Sequence, residues 1–117
     1  MEPGGIFISG GSKIEWLALL LAGMLEVTWA VAMKMSEGFS KLLPSIITGV
    51  GYIASAVFLA SALKKLPLGT AYAMWTGFGI IGTTVLGVFL FRESLSAPQI
   101  VCVALIGVGI VGLKLLA

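Results

Sequence analysis

One acidic residue lies deep within an apolar run of this 117-residue chain. Glu26 follows Trp16 by ten residues and precedes Lys34 by eight. In a helix these spacings correspond to roughly 15 Å and 12 Å, which places the carboxyl group near the centre of a bilayer. A charge at that depth costs on the order of 3 kcal/mol or more, so an acid there indicates a functional site.

A carboxyl group at this depth can hold a proton or an organic cation, but not both at once, because the two ligands need opposite ionisation states. The chain has no histidine, and no other acid lies at a similar depth. Glu26 must therefore carry any proton chemistry almost alone. The alternative is a protonated Glu26 that makes one hydrogen bond between helices and has only a structural role.

The neighbours of Glu26 on its helical face are mostly small or aromatic. Residues three, four and seven positions away share that face. They are Ala22, Gly23, Trp29, Ala30 and Met33. The small residues, Gly23 among them, indicate either room for a ligand beside the carboxyl group or close packing of two helices. Trp29 lies one turn after the acid.

A second candidate cluster lies in the run from Gly69 to Gly79. Tyr72 and Trp75 are one turn apart and lie deeper than interfacial aromatic residues need to. Their rings are suited to sandwich a cation, and the tyrosine hydroxyl is suited to orient a carboxylate. The alternative is ordinary packing of bulky side chains. Gly77 and Gly79 weaken the helix and predict a conformational hinge.

Two further sets of residues complete the candidates. Ser55 lies in the middle of another apolar run, where its hydroxyl either bonds to the carbonyl of the preceding turn or supports Glu26. Near the carboxyl end, a stripe without any ionisable group predicts a seam between helices rather than a transport site. The stripe consists of Cys102, Leu105, Ile106, Gly109 and Leu113.

Four apolar runs must position these residues. They span about residues 16–33, 42–63, 68–91 and 98–116. Each run is long enough to cross a hydrocarbon core of roughly 30 Å as a helix. Only 10% of the residues are charged and 59% are hydrophobic, whereas about a quarter of the residues of a soluble domain are charged. The sequence predicts an all-α integral membrane protein with a four-helix domain over residues 14–117.

Several classes of site and partner are disfavoured. The lone Cys102 excludes an internal disulfide and any multi-cysteine metal site. The Lys and Arg residues are dispersed and form no basic stripe for nucleic acid. We expect no metal, no cofactor and no nucleic-acid partner. Residues 1–13 lack the features of a secretory signal, and we expect them to be a flexible extension that is foreign to the fold.

Positive charges in the loops are nearly balanced across the predicted membrane. The side that receives the amino end, the second loop and the carboxyl end carries four, and the opposite side carries three. The four are Lys13, Lys64, Lys65 and Lys114, and the three are Lys34, Lys41 and Arg92. Such a balance gives almost no positive-inside signal. Either a weaker feature sets the orientation, or copies of the chain insert in both directions.

In its motifs the chain resembles the small multidrug resistance transporters, over about residues 14–117. The matching segments are Glu26-Val27-Thr28-Trp29-Ala30, Lys34-Met35-Ser36-Glu37-Gly38-Phe39, the run from Gly69 to Gly79, and Gly112-Leu113-Lys114. The tryptophan one turn after the acid and the late lysine resemble the guanidinium-exporting branch of that family. The extension and Cys102 depart from the family pattern, and neither departure touches the predicted pocket.

The resemblance implies an antiparallel, dual-topology homodimer in the bacterial inner membrane, surrounded by lipid. The first three helices of each copy would line a shared pocket, and the fourth would form the dimer seam. Protons and guanidinium would compete for Glu26, with Trp29, Ser55, Tyr72 and Trp75 around them. The proton gradient would drive export, so the protein would be a secondary active transporter rather than an enzyme.

Other functions remain open on the sequence. An efflux pump for hydrophobic quaternary ammonium compounds is one, although Trp29 argues against it by crowding the pocket. A non-transporting membrane adaptor that binds other helices is another, and it would leave Glu26 dispensable. A passive channel is a third, and it could not concentrate its substrate against a gradient.

Overall fold

The computed structural model describes residues 13–116, and within this range the backbone forms four α-helices. They are α1 (Lys13–Met35), α2 (Leu42–Ala62), α3 (Leu68–Phe91) and α4 (Ala97–Leu116). All four are long and apolar enough to span a membrane. The prediction of an all-α protein with four membrane-spanning helices is confirmed. Residues 1–12 of the predicted extension lie outside the described residues, and Lys13 begins α1.

The turn between α1 and α2 is built around Ser36. This side chain is fully buried; its hydroxyl donates to the Met33 carbonyl at 2.6 Å and accepts from the Phe39 backbone N–H at 3.0 Å. Three successive residues that follow, Glu37, Gly38 and Phe39, have positive φ. Only glycine adopts that conformation without steric cost. The two hydrogen bonds of Ser36 therefore stabilise a turn that the backbone conformations of Glu37 and Phe39 disfavour.

The end of α3 is a left-handed turn at Arg92, which has φ 55° and ψ 35°. The backbone N–H groups of Arg92 and Glu93 both donate to the Gly87 carbonyl, the second at 3.2 Å, which satisfies a carbonyl that the end of the helix would otherwise leave unpaired. The carboxylate of Glu93 lies against Gly87, which has no side chain to obstruct it. This turn brings Glu93 to the end of α1, where its Oε2 lies 3.0 Å from Lys34 Nζ.

Helix α1 is central, because it packs on both α2 and α3, whereas α4 packs mainly on α3. The buried core lies where α1 begins and α2 ends, and it is made largely of alanine and leucine. Its members are Ala18, Leu19, Ala22, Leu59, Ala62, Leu66 and Ala71. Small side chains let the helix backbones approach closely, which is how helices associate in lipid.

Helix α4 has no buried residue within the protomer. Its outer face presents apolar side chains such as Leu105 and Val108, which are 64% and 68% exposed. Near its end, Lys114 Nζ lies 4.1 Å from the centre of the Trp16 ring, a cation–π contact that ties α4 to the start of α1. The outer face of α4 is therefore available to lipid or to another protein.

Candidate functional site

Glu26 lies near the middle of α1, and its side chain points at α3. The carboxyl group lies directly against Gly79. A Cβ atom at Gly79 would overlap Oε1 and would lie 3.0 Å from Cγ of Glu26. Oε1 is buried and has no hydrogen-bond partner among the described residues. A buried acceptor without a donor costs about 1–3 kcal/mol, so packing, rather than a bond to Oε1, holds the side chain in place.

Three buried side-chain polar atoms lack a hydrogen-bond partner within residues 13–116. They are Glu26 Oε1, Trp29 Nε1 and Thr76 Oγ1. Trp29 follows Glu26 by one turn, and Thr76 precedes Gly79 by one turn, so all three lie within a turn of the Glu26–Gly79 contact. Buried polar atoms are normally paired, so each of these unpaired atoms is a candidate to bind a polar ligand or a second chain.

Thr76 was not selected from the sequence. A threonine in a membrane helix usually bonds to the carbonyl one turn earlier. This general expectation does not distinguish Thr76 from the other threonines of the chain. Its spacing of three residues before Gly79 is the one signal that could have indicated it.

Trp29 points toward α2. Its Cβ would lie 3.0 Å from a Cβ at Gly51, and its ring meets the Tyr52 ring edge-to-face, with centroids 5.1 Å apart. Glu26 instead contacts α3, so the two side chains diverge from α1 within the protomer. The expectation that Trp29 lies in one pocket with the carboxyl group stays a prediction about the assembled protein.

Ser55 connects three helices. It is fully buried; its hydroxyl donates to the Ala22 carbonyl of α1 at 2.7 Å and accepts from the Trp75 indole N–H of α3 at 3.0 Å. The Tyr72 and Trp75 rings contact each other edge-to-face, with centroids 5.4 Å apart. The hydroxyl therefore bonds neither to the preceding turn of its own helix nor to Glu26, and both expectations for its partner differ from this geometry.

Three of the glycines selected from the sequence, Gly23, Gly77 and Gly79, each receive a side chain from a neighbouring helix. A Cβ at Gly23 would lie 3.0 Å from the Phe78 ring, and one at Gly77 would lie 2.8 Å from Ile110 of α4. Gly79 receives Glu26. Helix α3 runs without interruption through Gly77 and Gly79, so their absence of a side chain serves close packing here, and the hinge stays a prediction.

The predicted seam on α4 lies at the border of its contact with α3. Cys102, Leu105 and Gly109 are exposed, and no atom of residues 13–116 lies within 4 Å of a Cβ at Gly109. Ile106 turns inward, where its Cγ2 would lie 3.3 Å from a Cβ at Gly77. Three of the five residues of the stripe are thus open to a second chain, whereas Ile106 and Leu113 are partly buried within the protomer.

Acidic residues do not gather into a metal site. Within the described residues, no three side chains of His, Cys, Asp or Glu lie together. Glu15, an acid outside the candidates named above, is also buried, in the first turn of α1. An acid is stabilised there by the positive end of the helix dipole. Glu26 has no such helix end near it.

Comparison with known sequences identifies the family. A family model described as Small Multidrug Resistance protein matches residues 14–106. This chain belongs to the small multidrug resistance family. A protein of Yersinia pseudotuberculosis is 55% identical over 102 residues, which cover 87% of this chain and 98% of the relative. A protein of Escherichia coli is 49% identical over 102 residues, covering 87% and 97%.

A third relative, from Salmonella typhimurium, is 49% identical over 104 residues, which cover 89% of this chain and 99% of the relative. Each of the three relatives is named guanidinium exporter. Small multidrug resistance membership, together with the four membrane-spanning helices, makes this chain a multi-pass membrane transporter, in keeping with the bacterial inner membrane.

Proposed function

We propose that this protein exports guanidinium from the cytoplasm in exchange for protons, and that the two ligands compete for the carboxyl group of Glu26. The observation that carries the proposal is the buried, unpartnered Oε1 of Glu26, held against Gly79 in the middle of a membrane-spanning helix. The identity of the cation is supported by relatives that are 49–55% identical and named guanidinium exporter.

Competition at one carboxyl group is sufficient to couple the two fluxes. The ionised carboxylate can pair with guanidinium through two parallel N–H···O bonds. A proton on the same group removes the charge, and the cation then leaves. Because one carboxyl group holds one ligand at a time, movement of the site across the membrane exchanges protons for guanidinium. The proton gradient supplies the free energy, and no cofactor is required.

The two other unpartnered atoms differ in what they can bind. The Thr76 hydroxyl has lone pairs that can accept an N–H of guanidinium, whereas the Trp29 indole N–H is only a donor. Trp29 therefore cannot bind the cation through that nitrogen. We assign it instead to a carboxylate, and the divergence of its side chain from Glu26 favours the carboxylate of a second copy.

The proposed assembly is a homodimer of two copies inserted in opposite directions. Three features support it: four positive charges against three on the two predicted sides, the exposed apolar face of α4, and the unpartnered donor on Trp29. Lipid would cover the remaining apolar surface. In this arrangement two Glu26 carboxylates would face one cation.

Transport by protein reconstituted in liposomes tests the proposal. A pH gradient should drive guanidinium uptake above its equilibrium concentration, which a passive channel cannot do. Glu26→Gln keeps the shape of the side chain but cannot ionise, so it should abolish the uptake. Glu37→Gln, in the exposed turn after α1, is the matched control and should transport like the wild type. Undiminished uptake by the Glu26→Gln protein would refute the proposal.

The pH dependence of binding gives a second test of the same mechanism. Protonation removes the negative charge that guanidinium needs, so guanidinium affinity should be full at alkaline pH and should fall as the pH is lowered. Calorimetric titrations at several pH values measure this directly. The Glu26→Gln protein should show weak binding that does not change with pH. Tetraalkylammonium ions in the same assay test the alternative of quaternary ammonium export.

A further inference from the structure

A polar recess lies between α1 and α3 at the end where both helices stop. It has a volume of about 290 Å³, and it is lined by Ala30 and Lys34 of α1, by Thr83 and Thr84 of α3, and by Glu93. A larger groove of about 710 Å³, which includes Val27 and Ile110, is lined by apolar residues. Unlike this groove, the recess has a lining that suits a charged ligand.

The mouth of this recess already holds a cation, the ammonium group of Lys34. Lys34 Nζ lies 3.0 Å from Glu93 Oε2 and 5.2 Å from the centre of the Phe91 ring. A carboxylate beside an aromatic face is an arrangement that binds cations of many kinds. The two charged side chains are 56% and 47% exposed, and such exposed pairs contribute about 0–1 kcal/mol to stability. The ammonium group is thus easily displaced.

The hydroxyl groups in the recess present acceptors to a ligand. Thr83 donates its proton to the Gly79 carbonyl at 2.7 Å, and Thr84 donates to the Ile80 carbonyl at 2.7 Å. Because each hydroxyl uses its proton on the backbone, its lone pairs remain to accept hydrogen bonds. A ligand rich in N–H donors fits this lining better than an anion does.

The inner end of the recess adjoins the Glu26 site. Ala30 follows Glu26 by one turn, and Thr83 follows Gly79 by one turn. The hydroxyl of Thr83 is bonded to the carbonyl of Gly79, the residue that contacts the Glu26 carboxyl group. Two helix faces therefore lead from the Lys34–Glu93 pair to Glu26, over roughly 12 Å along α1.

We infer that this recess is a second cation-binding site, the outer site, in which Glu93 pairs with guanidinium and Lys34 is the resident cation that guanidinium displaces. The inference rests on the proposed function, because it places the outer site on the route of the substrate to Glu26. Glu93 attracts the arriving cation, and the Thr83 and Thr84 hydroxyls accept its remaining N–H groups. Lys34 competes with guanidinium for the same carboxylate.

Initial rates of guanidinium uptake at low substrate concentration test the outer site, because the two halves of the ion pair should act in opposite directions. Glu93→Gln removes the acceptor and should lower the rate roughly threefold to tenfold. Lys34→Gln removes the competitor and should raise it. The exposed pair Lys41 and Glu37 in the α1–α2 turn is the matched control, and the corresponding glutamine variants should stay close to the wild-type rate.

Each other outcome overturns the outer site. If Lys34→Gln and Glu93→Gln both slow uptake and lower the unfolding temperature, the pair is only a structural link between α1 and the end of α3. If the control variants change the rate in the same directions, the effect is general surface charge. If neither Lys34→Gln nor Glu93→Gln changes the rate, the recess is not on the route. A wild-type protein without any uptake would instead refute the proposed function.

Discussion

Substitution of Gly79 by alanine tests whether the contact between α1 and α3 sets the position of the Glu26 carboxylate. The added methyl group would overlap the carboxyl group and lie 3.0 Å from Cγ of Glu26. The backbones of both helices are held by their other contacts, so the side chain of Glu26 must move. Overpacking of this kind typically costs about 1–3 kcal/mol.

The cost should appear in ligand binding, because the group that moves is the proposed binding group. If the whole overpacking cost is subtracted from the free energy of guanidinium binding, the guanidinium Kd rises by about 5- to 150-fold. Calorimetric titration of the Gly79→Ala protein at alkaline pH measures this change. Thermal unfolding of the same preparation shows whether the four-helix fold is retained.

Two other glycines provide the controls. A Cβ at Gly82 would overlap Val27 across the same pair of helices, and one at Gly69 would meet no described atom within 4 Å. Gly82→Ala separates α1 from α3 without touching the carboxyl group, so it should leave the guanidinium Kd nearly unchanged, as should Gly69→Ala. If Gly82→Ala weakens binding as much as Gly79→Ala does, helix separation and not the carboxylate contact is responsible. If Gly79→Ala slows transport but leaves the guanidinium Kd unchanged, the result would favour the predicted conformational hinge at Gly79 instead.

Three further substitutions probe the remaining site residues and the assembly. Ser55→Ala leaves the buried indole N–H of Trp75 without its acceptor and should destabilise the protein by about 1–3 kcal/mol, measured by thermal unfolding followed through tryptophan fluorescence. Thr76→Val keeps the shape but removes an unpartnered hydroxyl, so the ligand-free protein should be at least as stable, while the stabilisation by guanidinium should shrink. Cys102 should not form a disulfide with its counterpart in an antiparallel dimer, because the two lie roughly 10 Å apart when the helices cross near the middle of the seam. Gly109→Cys should allow oxidation to join position 109 of one copy to Cys102 of the other.

Matched variants make these outcomes specific. Ser45→Ala removes a hydroxyl that bonds only to a carbonyl of its own chain segment, and it should cost less stability than Ser55→Ala. Thr28→Val removes an exposed hydroxyl bonded one turn back, and it should not alter stabilisation by guanidinium. An equal loss of stability in Ser45→Ala and Ser55→Ala would argue against the role assigned to Ser55. Equal stabilisation of Thr28→Val and Thr76→Val by guanidinium would argue against the role assigned to Thr76. Rapid disulfide formation between two Cys102 residues would contradict the antiparallel arrangement.

The sequence predicts the four helices and the depth of Glu26 because length and hydropathy determine both in a membrane. The first and last residues of each helix are less well determined by length and hydropathy. Helix α1 begins at Lys13 and ends at Met35, beyond the predicted range 16–33. The apolar run stops at the edge of the hydrocarbon, but the backbone hydrogen bonds of the helix continue past polar residues such as Lys34.

The pairing of helices could not be predicted, because in lipid the faces of a helix that pack and those that do not are both apolar. The pattern therefore gives no rotation for a helix about its axis. Tyr52 was not identified as the partner of Trp29, and Trp75 was not identified as the donor to Ser55. Gly79 looked like a flexible point because the side chain that it receives comes from another helix.

The contacts around Glu26 support the proposed exchange of ligands at this carboxyl group. Nearby donors are directed elsewhere: the Trp75 indole N–H to Ser55, the Ser55 hydroxyl to a carbonyl of α1, and the Thr83 hydroxyl to the Gly79 carbonyl. None of these described donors reaches Oε1 of Glu26. A donor fixed there would favour the ionised form and resist protonation, and it would also occupy a lone pair that guanidinium needs. In the proposed mechanism a proton and a guanidinium ion displace each other at Glu26, and the unpartnered Oε1 supports it because no described donor would have to be released first.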